Sequence, residues 1–310
     1  MTKQFDILVA GEINPDLILS GNVTPEFGQV EKLVDSAALT VGSSSAIFAC
    51  GAARLGLKVA FVGVCGADIF GRFMLDELAR RGVDVSAVIV DPDHQTGLSV
   101  ILSAAQGDRA ILTHLGAIDL LLAEQVTDGL LRQARHLHIA SYFLQTTLQP
   151  GLPDLFARAR SLALTTSLDT NWDPSGEWRG LDGLLRLTDV LLPNENEALA
   201  LSGASTLEAA LQLLSRKSRL VAVKCGAGGA QAARGHETAR ALALPVQVVD
   251  TVGAGDTFDA GFICGWLNGW SLEKTLALAA ACGSLSTRAA GGTSAQPTLD
   301  EALKYVQPAG

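Results

Sequence analysis

The chain has 310 residues, 48% of them hydrophobic and 18% charged, which is enough to bury a large core. Its formal net charge of −9 argues against a nucleic-acid-binding protein that relies on neutralising phosphates. No apolar run reaches membrane-spanning length, and no signal-peptide pattern opens the chain. The five cysteines show no C-x-x-C spacing, and their odd number is typical of reduced thiols. We therefore expect a cytoplasmic protein without a membrane or nucleic-acid partner.

The first predicted element is a short buried strand at Phe5 to Ala10, which ends at Gly11. The sequence GEINPD follows and carries Asn14 and Asp16. Ligands of open α/β sheets bind beyond the carboxyl ends of the strands, so these two side chains are positioned to meet one. Asn, Pro and Asp are also ordinary turn residues, and the residues alone leave both interpretations open.

Two pairs of extended segments, at about 15–40 and 96–115, do not fit a strand–helix alternation. In the second pair, segments 96–104 and 109–114 are joined by residues 105–108 and are predicted to form a hairpin. We expect both pairs to leave the main sheet together. The alternative is an extension of the sheet edge without any function.

Between and after these pairs the chain alternates between helices and strands. An Ala-rich helix follows Gly42 and Ser43, and a second helix at about 72–81 is predicted to have Asp68 as its N-cap. From residue 120 on, helices at about 121–133, after 153 and near 181 alternate with strands at 136–140, 164–169 and 190–192. Such alternation predicts a parallel sheet with right-handed crossovers.

Two polar segments follow predicted strands in the second half of the chain. Asn194 and Glu197 have the spacing of a capping box at the start of a helix. Lys224 opens the loop KCGAGG, which contains Gly226 and Gly229 and reads on its own as a tight hairpin turn.

The most informative stretch is DTVGAGDTFDAGF, residues 250–262. It follows the apolar run 242–249, interpreted as a strand, and opens a predicted helix, so its glycines lie at a helix N-terminus. Unpaired N–H groups and the helix dipole make such a turn an anion site, and Gly253 and Gly255 leave the backbone accessible. An acid there, Asp256, would repel a phosphate unless it takes a proton from the group that attacks it. The alternative is that Asp256 is only an N-cap.

This stretch fits neither a Walker A loop nor a dinucleotide-binding fingerprint. It resembles the C-terminal signature of the PfkB-type carbohydrate kinases, D-T-x-G-A-G-D-x-F-x-A-G-F. The segments GEINPD, VGSSSAIFA with RLG, NENE and KCGAGG are similar to further motifs of this family, so the resemblance covers nearly the whole chain. It implies an α/β fold, a ribokinase-like αβα sandwich with a mostly parallel central sheet and a small β lid. We expect one domain over 1–310, with lid strands at about 15–40 and 96–115.

The resemblance implies an ATP-dependent kinase that phosphorylates a hydroxyl of a small carbohydrate. Asp256 would be the catalytic base, and the anion hole would consist of Gly253, Ala254 and Gly255. The sugar-binding residues that it implies are Asn14, Asp16, Gly42 and Ser43. The nucleotide-binding residues that it implies are Asn194, Lys224, Gly226 and Gly229. Glu197 would order the Mg²⁺ shell through water, Asp250 and Val252 would lie at a monovalent-cation site for K⁺, and the lid could pair two copies of the chain.

The sugar end of the pattern departs from the family. Ser43 replaces a glycine, and Ile47 stands where the family has an asparagine that contacts substrate, which argues against ribose. No lysine follows these residues, which argues against a sugar phosphate. A nucleoside kinase of the same fold is less favoured because aromatic residues make up only 5% of the chain. A non-catalytic sugar or nucleotide sensor is disfavoured by the intact Asp256 and N-x-x-E motif.

Overall fold

The computed structural model describes residues 3–104 and 108–306, and its strands and helices alternate along most of the chain. The strands are β1 (Phe5–Ala10), β2 (Pro15–Gly21), β3 (Ser36–Val41), β4 (Val59–Val62), β5 (Val64–Gly66), β6 (Val83–Asp84), β7 (Ile89–Asp91), β8 (Leu98–Ala104), β9 (Arg109–His114), β10 (Ala134–Ile139), β11 (Thr165–Leu168), β12 (Val190–Leu191), β13 (Leu220–Lys224), β14 (Ala230–Arg234) and β15 (Glu237–Ala241). The α-helices are α1 (Ser44–Arg54), α2 (Ile69–Arg80), α3 (Asp128–Gln133), α4 (Leu152–Ser161), α5 (Asp182–Leu185), α6 (Glu195–Ser202), α7 (Leu207–Leu214), α8 (Ala254–Leu267), α9 (Leu272–Ser286) and α10 (Leu299–Leu303).

The central sheet has nine strands in the order β15-β14-β13-β12-β11-β10-β1-β4-β6. All neighbours from β13 to β6 pair in parallel, and only β14 and β15 add antiparallel pairs at one edge. The sheet is buried on both faces, which is why its strands are nearly continuous apolar runs rather than alternating ones. The predicted α/β fold with a mostly parallel central sheet is confirmed.

One apolar cluster covers each face of this sheet. On one face, Phe48 of α1, Phe262 of α8 and Leu276 of α9 pack against strand residues such as Val9. On the other face, helices that include α3, α4 and α7 pack against the alternate strand residues. The result is an αβα sandwich. Within the two described ranges of the chain, no helix has both the length and the apolar composition needed to cross a bilayer.

A four-stranded sheet in the order β3-β2-β8-β9, which we call the small sheet, lies apart from the central sheet. Strand β2 pairs with β3 antiparallel and with β8 in parallel, and β8 pairs with β9 antiparallel. The predicted hairpin of β8 and β9 is confirmed, whereas residues 105–107 of its connection lie outside the described residues.

Two elements predicted from the sequence are wrong. The segment 121–133 is not one helix: it contains a short 3₁₀ turn at Ala123–Gln125, and α3 begins only after Thr127, whose side chain caps it. The apolar run 242–249 forms no strand, since β15 ends at Ala241. Leu242 is 84% exposed, and most of the run lines a cleft, so its apolar residues mark a binding wall and not a buried strand.

Helices α8 and α9 pack with very little space between them. A Cβ added at Gly261 would lie 3.0 Å from the Cα of Ala279 and from Cys282, and one at Gly265 would lie 2.8 Å from the hydroxyl of Thr275. Both glycines lie in the middle of α8, where glycine is otherwise unfavourable by about 0.5–1 kcal/mol relative to alanine. The close approach of the two helices explains why no larger residue fits.

Candidate functional site

A cleft of about 1390 Å³ is lined both by the small sheet and by residues that follow the carboxyl ends of the central strands. Most of the site residues predicted from the sequence line it, namely Asn14, Asp16, Ser43, Asn194, Glu197, Lys224, Gly226, Gly229, Val252, Gly253, Ala254, Gly255 and Asp256. Gly42 and Asp250 are not among the residues that line it.

The turn before α8 has the geometry expected of an anion site. Gly253 is the N-cap residue with φ of 71°, a left-handed conformation that favours glycine, and no side chain caps this helix. Among the described residues, the N–H groups of Gly253, Gly255 and Asp256 have no hydrogen-bond acceptor. The N–H of Ala254, which was predicted to belong to the anion hole, donates to the carbonyl oxygen of Thr251 at 3.3 Å and is not free. Because Asp256 lies in the first turn and does not cap the helix, the N-cap alternative does not explain it.

Asp256 is buried, with 8% of its surface exposed. Burial and the neighbouring Asp169 raise the pKa of Asp256 to about 8, against the opposing effects of Lys224 and a hydrogen bond from Ser44. A carboxyl group with a pKa near neutrality is well matched to accepting a proton from an alcohol.

Beneath this turn, the ammonium group of Lys224 is bound between two buried carboxylates. Its Nζ lies 2.8 Å from Asp169 Oδ2 and 3.0 Å from Asp259 Oδ2. Burial lowers the pKa of Lys224, but the two carboxylates outweigh this effect and raise it. The Nζ atom also lies 3.6 Å from where a Cβ of Gly255 would stand, next to the anion turn. The contact of Lys224 with a nucleotide phosphate stays a prediction from the sequence.

At the other end of the cleft, Asp16 lies at the start of β2 and is 6% exposed. Burial, opposed by the charge of Arg109 and reinforced by that of Asp250, raises the pKa of Asp16 to about 7. Gly42 lies next to it, and a Cβ at Gly42 would overlap the Asp16 carboxyl group and lie 2.9 Å from the carbonyl oxygen of Asn14. Gly42 therefore makes room for the Asp16 side chain and does not itself reach the cleft.

Ser43 is the N-cap of α1, and its hydroxyl makes two hydrogen bonds within the protein. It donates to the carbonyl oxygen of Glu12 at 2.7 Å and accepts from the N–H of Ala46 at 3.0 Å. The Glu12 carboxylate in turn accepts from the hydroxyls of Ser45 at 2.6 Å and Ser141 at 2.9 Å. This network fixes the start of α1 and uses the only proton of the Ser43 hydroxyl, which can still accept one hydrogen bond. The sugar contact of Ser43 stays a prediction from the sequence.

Ile47, the residue that departs from the family pattern, packs against the anion turn. Its Cγ2 atom would lie 2.9 Å from a Cβ at Gly253, and its Cδ1 atom contacts Gly292 on a neighbouring loop. Where the family pattern has a polar side chain, this chain thus has a buried apolar one beside the anion turn.

The predicted capping box at the start of α6 is confirmed. The N–H of Asn194 donates to Glu197 Oε2 at 2.9 Å, and the N–H of Glu197 donates to Asn194 Oδ1 at 2.9 Å. Burial, followed by repulsion from Asp169, raises the pKa of Glu197 to about 7. A divalent cation would relieve this repulsion, and carboxylate oxygens are the ligands that Mg²⁺ prefers, so these residues fit such an ion.

Asp250 closes the loop before α8. Its Oδ1 accepts from the N–H of Val252 at 3.0 Å and its Oδ2 from the N–H of Gly291 at 2.9 Å. The carbonyl oxygen of Thr287 likewise accepts from two N–H groups of this loop. These oxygens have structural partners, and the K⁺ site at Asp250 and Val252 stays a prediction from the sequence.

Sequence reasoning did not assign a role to three of the residues described above. Asp259 lies one turn after Asp256 on α8, so the spacing of three residues could have placed both carboxylates on one helix face. Glu12 is part of GEINPD but was not singled out. Arg109 lines the cleft from β9, and nothing in the local sequence indicates which way it points.

Comparisons with known proteins agree with this geometry. The sequence pattern described as "pfkB family carbohydrate kinase" matches residues 4–299. The chain is 30% identical over 307 residues to an ATP-dependent ribose-1-phosphate kinase of Halopiger xanaduensis, covering 97% of each chain. It is 27% identical over 311 residues to a ribokinase of Haemophilus influenzae, covering 98% of this chain and 99% of that one.

Among solved structures, a protein from E. coli described as a ribokinase II, in complex with ATP and Mg²⁺, has a TM-score of 0.87 and 26% identity. The match covers 97% of this chain and 99% of that one. The family pattern and the shared fold both cover nearly the whole length of this chain. The chain therefore belongs to the pfkB family and is a carbohydrate kinase.

Proposed function

We propose that the protein transfers the γ-phosphoryl group of ATP to a hydroxyl group of a small sugar bound at Asp16. The observation that carries this proposal is the position of Asp256, a buried acid beside the free N–H groups at the start of α8. A single cleft contains both this acid and Asp16, so a sugar and a nucleotide can meet in it. The similarity to two kinases named for ribose or its phosphate supports a sugar as the acceptor.

In this reaction the ionised Asp256 takes the proton of the sugar hydroxyl as the hydroxyl oxygen bonds to the γ-phosphorus, and the bond from that phosphorus to the β–γ bridging oxygen breaks, which releases ADP. The N–H groups of Gly255 and Asp256 bind the oxygens of the transferred phosphoryl group, on which negative charge accumulates. The carboxylate of Asp16 accepts hydrogen bonds from sugar hydroxyls and so orients the acceptor. The nucleotide occupies the half of the cleft lined by Gly226, Gly229 and the wall 243–248.

Mg²⁺, when bound with the help of Glu197, supplies positive charge that neutralises the phosphates of ATP. Solved complexes of a similar protein with ATP and Mg²⁺ support this cofactor. Glu197 and Asn194 hold each other in the capping box, so the carboxylate is oriented before the ion arrives.

The proposed function is tested by measuring ADP release with ATP, Mg²⁺ and a panel of sugars, sugar acids, sugar phosphates and nucleosides. We expect at least one sugar or sugar derivative to accelerate ADP release far above the rate without acceptor. A nucleoside turned over faster than every sugar would overturn the proposal. ATP turnover that no member of the panel stimulates would do so as well.

Replacing Glu197 with Gln should raise the Mg²⁺ concentration for half-maximal activity about 10- to 100-fold, the usual cost of losing a residue that orders a metal shell. Glutamine also serves at the third position of a capping box, so α6 should stay intact. The control is Glu195→Gln, an exposed acid on the same helix, which should leave the Mg²⁺ dependence unchanged. An unaltered Mg²⁺ dependence in Glu197→Gln would remove Glu197 from the metal site.

We also propose that two copies of the chain associate through the small sheet in the cytoplasm. Leu112 of β9 is 61% exposed and Leu39 of β3 is 38% exposed, so both outer strands offer apolar side chains. The five unpaired cysteines are consistent with a reducing compartment. Light scattering of the full chain measures the mass in solution, and a monomer at micromolar concentration would contradict the association.

A further inference from the structure

One face of the small sheet forms the roof of the sugar end of the cleft. The strand registers place its inward residues in rows, because side chains two apart lie on the same face. The row nearest Asp16 contains the hydroxyls of Ser99 and Thr113. The next row contains Ile101 and Ile111.

The third row contains Arg109, opposite Ser103. Arg109, Ile111 and Thr113 all line the cleft, so the arginine shares the inward face with the two residues before it in this order. Arg109 and Asp16 line the same cleft, and the positive charge of Arg109 lowers the pKa of the Asp16 carboxyl group. The roof therefore changes from hydroxyl to apolar to cationic along one direction.

The charges that line the cleft make this arginine unusual. Arg109 and Lys224 are the cationic side chains among the lining residues, and Lys224 is already paired with Asp169 and Asp259. Within residues 3–104 and 108–306, no carboxylate lies within ion-pair distance of Arg109. Arg109 is itself solvent-exposed, and a neutral sugar would leave its guanidinium without an anionic partner at the cleft.

We propose that the sugar substrate carries an anionic group, which Arg109 binds at the end of the sugar away from the reacting hydroxyl. The inference rests on the proposed function and adds the substrate class to it. A guanidinium binds a carboxylate or a phosphate through two parallel N–H···O bonds, and one cation balances one carboxylate. Sugar acids are therefore the favoured class, and sugar phosphates share the chemistry that Arg109 recognises.

The experiment compares kcat/KM of the full-length protein for three matched sets: neutral sugars, their aldonic or ketoaldonic acids, and their phosphate esters. We expect the preferred substrate to be anionic. In the variant Arg109→Gln, the ratio of kcat/KM for that substrate to kcat/KM for its neutral counterpart should fall about 10- to 100-fold, mainly through KM. Arg109→Lys keeps the charge but not the paired geometry, and should lose less.

Arg132→Gln is the matched control, because Arg132 is an exposed arginine on α3 with one weak ion pair at 3.5 Å. Its ratio should equal that of the unmodified protein. Preference for a neutral sugar would overturn the inference and leave the kinase function standing, as would an unchanged ratio in Arg109→Gln. Failure of every sugar, charged or neutral, would overturn the proposed function itself.

Discussion

Replacing Asp256 with Asn should lower kcat about 10²- to 10⁴-fold, the range that a positioned general base contributes. The amide has nearly the same shape but cannot accept the hydroxyl proton. In the unmodified protein kcat/KM should rise with pH and level off above about pH 8, because burial raises the pKa of Asp256 to about 8 and only its ionised form is active. The Asn variant should lose the part of this rise near pH 8, while the part that comes from the ionisation of Asp16, with a pKa of about 7, should remain. Steady-state kinetics between pH 6 and 9 measures both effects.

The same substitution should stabilise the fold. The pKa of Asp256 is higher in the folded protein than in the unfolded chain, so the folded state binds the proton more tightly. Stability therefore falls as pH rises from about 4 to about 8, and a neutral amide avoids that loss. We expect the free energy of unfolding of Asp256→Asn at pH 8 to be about 1–2 kcal/mol higher, a trade-off that is common at catalytic positions.

Asp76→Asn on α2 is the control for both measurements, since Asp76 is exposed and far along the chain from the cleft residues. ATP binding, followed by calorimetry, should persist in Asp256→Asn. Turnover near that of the unmodified protein in this variant would contradict the role of Asp256 as base.

Replacing Lys224 with Met should lower the free energy of unfolding by about 3–5 kcal/mol, the usual cost of breaking a buried ion pair by removing one partner. Asp169 and Asp259 would then face each other without a cation between them. A second substitution, Asp259→Asn, should recover part of the loss because it removes one of the two remaining charges. Urea denaturation of the single and double variants measures these differences.

The matched control is Lys217→Met. Lys217 pairs with Asp182 at 2.9 Å, nearly the distance of the Lys224 pairs, but both side chains are solvent-exposed. Exposed pairs contribute about 0–1 kcal/mol, so this variant should unfold almost as the unmodified protein does. An equal loss in Lys224→Met and Lys217→Met would show that the buried pairs do not hold the turn in place.

Lys224→Met should also change the reaction. Lys224 lowers the pKa of Asp256, so its removal should move the rise of kcat/KM to higher pH. The structure adds a role that its loop sequence does not indicate, because Lys224 pairs with two buried carboxylates; its contact with a phosphate stays a prediction from the sequence.

The phosphoryl-transfer end of the site was predictable from the sequence because it is local. Gly253, Asp256 and the capping box of Asn194 and Glu197 all depend on backbone geometry within a few residues, and helix N-termini have strong sequence signals. The order of strands and helices was predictable for the same reason, apart from two segments: 121–133, where α3 begins only after Thr127, and 242–249, which forms no strand.

The sugar end was not predictable to the same degree, because it depends on contacts between distant segments. The hydroxyl of Ser43 donates its proton to the carbonyl oxygen of Glu12, 31 residues away, and the local sequence does not indicate this partner. Only the register of β8 and β9 shows that Arg109 lies on the face of the small sheet that lines the cleft. The run 242–249 has the composition of a buried strand, and only the three-dimensional arrangement shows that it forms a wall of the cleft.

Because α8 and α9 approach each other closely, we expect substitutions at their contact to change the rate of the reaction, although the contact lies outside the cleft. Asp256 is rigidly attached to Gly261 and Gly265 through one continuous helix, so any bulk inserted at that contact moves the acid along with it. Misplacing a reacting group by about 1 Å can lower a rate about a hundredfold. We therefore expect the absence of side chains at Gly261 and Gly265 to be necessary for the correct position of the Asp256 carboxylate.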